Sequence, residues 1–362
     1  MTTKRAYNFN AGPSALPLEV LQKAQAELVD FQQTGMSVME LSHRSATFEA
    51  VHNDAIARLR KLYDIPENYE VLFLQGGASL QFTMIPMNFL SEGKKASYVQ
   101  TGAWSEKAFK EAKLFGTPVE AASTKENNYK NIPALSDIAI DENAAYLHIT
   151  TNNTIFGTQW KEFPETNVPL IADMSSDILS KRVDVSKFGM IYAGAQKNLG
   201  PSGVTVVIIR KDLLEQANTN VPTILQYGIH AKNNSLYNTP PTFGIYMLGE
   251  VLKWVEEQGG LEAIEKRNEE KAALIYDVID NSNGFYTGHA TKESRSLMNI
   301  TFRVADEELE KQFLAEAKDA GFVGLNGHRS VGGCRASAYN AVPVDTCQAL
   351  AEFMIEFQSN NQ

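Results

Sequence analysis

Two residues in this sequence have the types and spacing to act on one small molecule. Asp173 closes the apolar run VPLIAD, and Lys197 follows it by 24 residues, just past the apolar run MIYAGAQ. That separation is about what a chain needs to leave one strand, cross over and return beside it. A carboxylate and an amine on neighbouring strand ends suit pyridoxal 5'-phosphate (PLP). The lysine forms a Schiff base with its aldehyde, and the acid pairs with the pyridinium nitrogen so that the ring can take up electrons. Many α/β proteins also place an Asp and a Lys at strand ends, so the pair needs support from its surroundings.

Other polar groups could complete such a site, and each also has a plainer reading. The turn Gly76-Gly77-Ala78-Ser79 puts backbone N–H groups and a hydroxyl at a predicted helix start, where a phosphate would sit. A Gly-Gly turn can equally be mere geometry, and no Gly-Lys-Ser/Thr follows to make a nucleotide loop. Trp104, in the polar turn after ASYVQ, is placed to stack on a planar ring, although most tryptophans belong to cores. Thr154 in TTNNT could donate to a ring oxygen or simply cap a turn. In SLYNTPPTF the two prolines hold Asn238 and Thr239 in one extended geometry, which suits binding or a rigid loop alike. Anion-binding side chains occur as His43-Arg44, His328-Arg329 and Arg335. Arginine grips carboxylate or phosphate through two N–H groups, and an adjacent histidine adds a donor. Together they favour a small substrate with two anionic ends.

The elements that must position these groups alternate between strand and helix. VLFLQ, ASYVQ, TPVEAAS, AAYLHITTNNTIFGT, VPLIADMSS, MIYAGAQKN and GVTVVIIR read as strands, with helical patterns after several of them. This order implies an α/β fold with a mostly parallel sheet flanked by helices, and ligands in such sheets bind at the carboxyl ends of the strands. Ser79, Trp104, Thr154, Asp173 and Lys197 all fall at those ends. After Trp254 the pattern changes to a long amphipathic helix, a strand and two further helices, a smaller α+β C-terminal domain. The expected division is an N-terminal arm over 1–15, a large domain over 16–259 and a small domain over 260–362.

Composition narrows the function further. A chain of 362 residues can bury a full core, and its formal charge of −10 argues against a nucleic-acid partner. No stretch is apolar and long enough to span a bilayer, and the first residues lack the apolar segment of a secretory signal. Two cysteines, Cys334 and Cys347, form neither a disulfide framework nor a metal-ligand pattern. The expectation is a metal-free cytoplasmic enzyme.

The segments NFNAGPSALP, SVMELSHRS, LFLQGGAS, TGAWS, ADMSSDILS, YAGAQKNLGPSG, YNTPPTF and NGHRSVGGCRAS resemble, in the same order, those of phosphoserine aminotransferases, a class-V branch of the fold-type-I PLP enzymes. The resemblance runs essentially end to end. It implies that Lys197 is the Schiff-base lysine and proton shuttle, and that Asp173 pairs with the pyridinium nitrogen. Trp104 would stack on the ring and Thr154 contact its oxygen, with Ala78, Ser79 and Gln196 helping to seat the cofactor. Asn238 and Thr239 would reach the cofactor phosphate from the other subunit of a homodimer with shared active sites. Arg335 would bind the substrate α-carboxylate. His43 and Arg44, also from the other subunit, would join His328 and Arg329 at the distal anion. Ala78-Ser79 departs from some members, where an Arg stands. The implied reaction is transamination between L-glutamate and 3-phosphohydroxypyruvate, giving O-phospho-L-serine and 2-oxoglutarate for serine biosynthesis. The family often also performs the 4-phosphohydroxy-threonine step of pyridoxine synthesis.

The rival readings are a different small-acid aminotransferase, a cysteine desulfurase-like enzyme of the same fold, and a non-catalytic ligand-binding protein. A desulfurase needs a mobile nucleophilic cysteine. Here Cys334 adjoins the proposed carboxylate clamp, Cys347 sits in a predicted helix, and Gln196 stands where desulfurases place a histidine. No GxGxxG opens the first βα unit.

Overall fold

The computed structural model describes residues 5–362, so the first four residues of the expected arm lie outside the described residues. In chain order the strands are β1 (Tyr7–Asn8), β2 (Tyr69–Leu74), β3 (Lys95–Gln100), β4 (Thr117–Ser123), β5 (Leu147–Thr150), β6 (Asn152–Asn153), β7 (Thr158–Gln159), β8 (Leu170–Asp173), β9 (Met190–Gly194), β10 (Thr205–Arg210), β11 (Tyr286–Gly288), β12 (Asn299–Val304), β13 (Phe322–Val323) and β14 (Cys334–Ser337). The helices are α1 (Leu18–Glu27), α2 (Ala46–Leu62), α3 (Gly77–Phe89), α4 (Ala103–Ala112), α5 (Lys211–Glu215), α6 (Tyr227–Lys232), α7 (Thr242–Glu257), α8 (Gly260–Asn281), α9 (Glu307–Asp319) and α10 (Val344–Asn361).

A seven-stranded sheet in the order β2-β10-β9-β8-β5-β3-β4 forms the centre. Only β10 runs against its neighbours β2 and β9; the other pairings are parallel. Both faces are buried, as a sheet with helices on each side requires. Along β10, Val206 and Ile208 enter the apolar cluster shared with α2 and α7, whereas Val207 and Ile209 enter the cluster on the other face with α3. Tyr192 on β9 and Tyr98 on β3 belong to that second face. Because the side-chain period is two, one face of the sheet is given by odd and even positions alone.

A three-stranded antiparallel sheet, β11-β12-β14, packs with α8, α9 and α10 into a separate cluster that includes Phe302, Phe313, Met354 and Phe357. Helix α8 spans the two regions: Leu261 and Ile264 join the first cluster, and Ala272, Ile275 and Ile279 join the second. The arm also belongs to this region. Its strand β1 pairs in parallel with β13, and Phe9 is buried among the C-terminal aromatics.

Three local differences from the sequence pattern have simple causes. YLHITTNNTIFGT reads as one strand but folds as β5 followed by the tight β6–β7 hairpin. Gly157 makes the turn possible: its φ is +71°, and a Cβ there would lie 2.7 Å from the Asn299 carbonyl oxygen. Arg58, Arg60 and Lys61 lie on one polar helix face whose pattern predicts a solvated surface, yet Arg60 donates through Nη2 to the Tyr69 carbonyl at 2.6 Å and so braces the entry to β2. Leu18, Leu21, Ala24, Leu28 and Phe31 recur at helical spacing, but helix α1 stops at Glu27 and Phe31 lies in a separate 3-10 turn.

Candidate active site

A cavity of about 290 Å³ opens at the carboxyl ends of β2, β3, β5, β8 and β9. Parallel neighbours deliver their last residues to one edge, which is why groups distant in sequence meet there. Asp173 ends β8 and is 4 % exposed, with Thr150 at the matching register of β5 and Tyr192 at that of β9. Its carboxylate accepts from the Ser175 amide at 2.9 Å. Burial pushes the Asp173 carboxyl above the usual range, while hydrogen bonds from Ser175, the nearby Lys197 and Tyr192 pull it back.

Lys197 follows β9, half-buried, and its Nζ donates to Thr154 Oγ1 at 2.7 Å. Burial lowers its pKa to about 8, with Asp173 opposing that effect and Arg335 reinforcing it. The backbone around the lysine is pinned from the arm. Ser14 donates its amide to Gln196 O at 3.0 Å and its hydroxyl to Lys197 O at 2.6 Å.

Thr154 sits in the β6–β7 hairpin, whose Asn152 Nδ2 bonds Asn299 Oδ1 of β12 at 2.8 Å. Arg335 of β14 then reaches back across the gap, donating Nη1 to Thr154 O at 3.2 Å, while its Nε is buried without a partner. Helix α3 begins beside the cavity after Gly76, whose left-handed φ of +92° would put a Cβ 2.5 Å from Leu80. The first amides of a helix lack intrahelical acceptors, so the stretch Gly77-Ala78-Ser79 presents free N–H groups to the cavity it lines. Trp104 lies in the first turn of α4; it is half-buried and its Nε1 has no partner.

His328 lines the opposite side, with Ser330 Oγ 2.6 Å from its Nδ1. Burial lowers its pKa, and the positive charges of Arg335, Arg329 and Lys107 lower it further. Lys107 was not singled out from the sequence; it lies one turn along α4 with its ammonium 4.2 Å from the Trp104 ring centroid. The cavity therefore combines an acid and an amine with the positive charges of Arg335, Arg329 and Lys107.

Nine of the residues singled out from the sequence line this cavity: Ala78, Ser79, Trp104, Thr154, Asp173, Gln196, Lys197, His328 and Arg335. The other five do not. Arg329 is exposed beside His328, and His43 and Arg44 stand ahead of α2, where His43 Nε2 is buried without a partner. Asn238 and Thr239 lie near the end of β2, where Gln75 Nε2 donates to Thr239 O at 3.3 Å. Sequence reasoning passed over Ala11, Gly12, Phe82, Asn152, Ser175 and Ser176, which also line the cavity. The hydroxyl pair Ser175-Ser176, one residue beyond Asp173, is the one available signal among these. The two thiols are unsuited to nucleophilic work, for both are buried; burial pushes Cys334 up and brings Cys347 to about 12.

These residues fit PLP. A buried acid facing an amine, unpaired helix amides for a phosphate and an indole N–H without a partner are the donor set such a ligand needs. Among the described residues no cluster of His, Cys, Asp or Glu could hold a metal ion.

Comparison with known proteins agrees with this geometry. The family described as Aminotransferase class-V matches residues 6–350. A phosphoserine aminotransferase of Lysinibacillus sphaericus is 78 % identical, the match covering 99 % of this chain and all of the relative. The solved phosphoserine aminotransferase of Bacillus circulans subsp. alkalophilus superposes with a TM-score of 0.98 at 62 % identity, over 99 % of this chain and 100 % of that one. The PLP-bound phosphoserine aminotransferase of Trichomonas vaginalis gives a TM-score of 0.92 at 43 % identity, over 97 % of this chain and 100 % of that one. Fold, cavity and sequence converge, and the chain belongs to the class-V aminotransferases, among the phosphoserine aminotransferases.

Proposed function

We propose that this protein is a PLP-dependent transaminase that moves the amino group of L-glutamate to 3-phosphohydroxypyruvate, giving O-phospho-L-serine and 2-oxoglutarate. The observation that carries the reading is the polarity of one cavity. Lys197 and Asp173 stand in it together, Arg335 and the nearby Arg329 and Lys107 supply positive charge, and His328 adds an imidazole.

Bound PLP supplies an aldehyde that captures amines reversibly and a pyridine ring that accepts the electron pair released at the substrate Cα. In our assignment Asp173 holds the ring nitrogen protonated, Trp104 covers the ring, and Thr154 meets its oxygen. Ala78 and Ser79 seat the phosphate through N–H groups and a hydroxyl, and Gln196 flanks the lysine. Lys197 Nζ, lowered to about 8 by burial, takes the proton from the substrate Cα. Arg335 orients the substrate by its α-carboxylate. A γ-carboxylate and a phosphate share the distal site in turn, held by His328 and Arg329, because guanidinium and imidazole donors accept either group.

Asn238, Thr239, His43 and Arg44 lie away from this cavity, and we assign them to the site of the other subunit in a homodimer. Residues 16–259 would act as the cofactor-binding domain, with 260–362 as a small domain carrying Arg335. A reducing cytoplasm suits its two buried free thiols. No helix among the described residues is long and apolar enough to cross a membrane. The related 4-phosphohydroxy-threonine step of pyridoxine synthesis is a second use of the same distal site.

The deciding experiment is a coupled assay of glutamate with 3-phosphohydroxypyruvate against unphosphorylated keto acids. We expect the phosphorylated acceptor to have the highest kcat/KM by at least about a hundredfold, the value of a few charge-assisted hydrogen bonds. Equal use of an unphosphorylated short keto acid would overturn the assignment.

A further inference from the structure

The chain that leaves Asp173 is held by its backbone carbonyls. Residues 174–180 form a turn after β8, and three consecutive carbonyls of this turn each accept from an asparagine side chain. Asn198 Nδ2 donates to Ile178 O at 3.0 Å, Asn340 Nδ2 to Leu179 O at 2.9 Å, and Asn268 Nδ2 to Ser180 O at 3.0 Å. All three asparagines are buried, and they come from separate places: Asn198 adjoins Lys197, Asn340 follows β14 and Asn268 lies on α8. They also bond one another. Asn268 Nδ2 donates to Asn340 Oδ1 at 2.9 Å, and the Asn340 backbone amide donates to Asn198 Oδ1 at 3.0 Å. Three residues further along the same face of α8, Lys271 Nζ donates to the carbonyls of Ala338 at 3.0 Å and Tyr339 at 2.7 Å, just before Asn340.

What each amide faces fixes its orientation. The Asn268 nitrogen meets two oxygens, so the NH2 group must lie on that side, and its own Oδ1 is left buried without a partner. Leu179, at the centre, has a φ of +59°, a left-handed conformation that residues with a Cβ avoid. Its amide donates to Tyr63 Oη at 2.5 Å while its carbonyl takes the Asn340 amide, so two distant side chains hold it in place. Backbone of this kind persists only where the surroundings over-determine it. Donors from the turn's own neighbourhood would satisfy these carbonyls equally well. Two of the three come instead from α8 and from the segment after β14, the strand that carries Arg335. The bonds therefore cross from the loops of the acid and the lysine to the strand of the carboxylate clamp.

We infer that Asn340 and Asn268 are positioning residues for the reaction: they lock the segment after β14 onto the turn after Asp173 and so set the place of Arg335 relative to Lys197. Asn340 is five residues beyond Arg335, which itself donates to the Thr154 carbonyl. A substrate held by its α-carboxylate on Arg335 must present its Cα to Lys197 Nζ, and a misplacement of about 1 Å can slow such a step by about a hundredfold. Short, planar amides with both donor and acceptor engaged allow one register of the two segments and no sliding between them. The inference rests on the assignment of Arg335 made above.

The test uses the full-length holoenzyme and measures steady-state kinetics with both substrates, beside the PLP dissociation constant by absorbance and thermal melting. Asn340→Ala removes the donor to Leu179 O and the acceptor for Asn268. KM for the amino donor and for the keto acceptor should each rise about tenfold. kcat and the PLP dissociation constant should change by less than about twofold, since the residues around the cofactor keep their contacts. In an Arg335→Lys background the same substitution should lower kcat/KM for glutamate by less than about twofold, because no guanidinium is left to position. Asn268→Ala should raise both KM values by a smaller factor, and it takes the place of Asn340→Ala where that protein does not fold. Wild-type KM values in the folded variant overturn the inference, even where its melting temperature falls. A loss of PLP affinity as large as the rise in KM overturns it too, and so does an undiminished effect in the Arg335→Lys background. Arg335→Lys alone serves as the reference: if it keeps the wild-type kcat/KM for glutamate, the Arg335 assignment fails and takes the inference with it. If it loses activity while Asn340→Ala keeps wild-type KM values, only the inference fails.

Discussion

Lys197 is useful because it is uncomfortable. Its ammonium is taken out of water, and the nearby carboxylate of Asp173 only partly offsets that loss, so its pKa settles near 8. A group whose folded pKa is depressed in this way is a free amine above that value and a closed, protonated nucleophile below it. For the apoenzyme the rate of PLP capture should climb as pH rises through about 8 and level off above it, read by stopped-flow absorbance. A rate that is flat between about pH 6 and about pH 10 would contradict the environment described for Lys197. In this structure the amine donates to the Thr154 hydroxyl.

Among the elements, the β6–β7 hairpin bears more of the site than its two-residue strands suggest. It carries Thr154, receives Arg335 on the Thr154 carbonyl and is tied to β12 through Asn152 and Asn299. Gly157 allows the turn to press against β12, since a side chain there would meet the Asn299 carbonyl and Thr301 Oγ1 at 2.7 and 2.9 Å. Gly157→Ala combines a positive φ with a backbone clash, and we expect it to cost about 2–3 kcal/mol of stability in chemical denaturation. It should also raise the KM for both amino donor and keto acceptor, because Thr154 and Arg335 move together. A variant with native stability and native KM values would show the hairpin to be more compliant than its contacts imply.

For the whole molecule, the feature to explain is that only His328 of the four residues assigned to the distal anion lines the cavity. Arg44 is exposed and His43 keeps an unpaired ring nitrogen, while Leu18, Leu28, Val29, Met36 and Met39 expose apolar surface on the same N-terminal stretch. Apolar surface around an anion-binding pair is what an isologous contact between two copies would cover, and such a contact carries each pair to its partner's cavity. Mixing an inactive Lys197→Ala protein with an inactive Arg44→Ala protein should then restore activity. The expected recovery is up to roughly a quarter of the wild-type value, since half of the exchanged dimers hold one intact site out of two. Zero recovery under proven subunit exchange would place His43 and Arg44 outside the reaction.

The chain's order of residues already held the α/β alternation, because helical and strand periods are local and β2, β8, β9 and β10 are largely apolar runs. It also held the acid and the lysine, since strand ends followed by polar turns are visible without coordinates. What stayed hidden were the relations that depend on which strand lies beside which. The antiparallel insertion of β10 between β2 and β9 is one. The splitting of a single apolar-to-polar stretch into β5 and a hairpin is another, for a turn closed by Gly157 is decided by its fit against β12. Ser14 on the Lys197 carbonyl is a bond across 183 residues, and no local period encodes it. Only the register of the sheet brings Thr150 and Tyr192 to either side of Asp173, because strand pairing is a property of neighbours in space and not of neighbours in the chain.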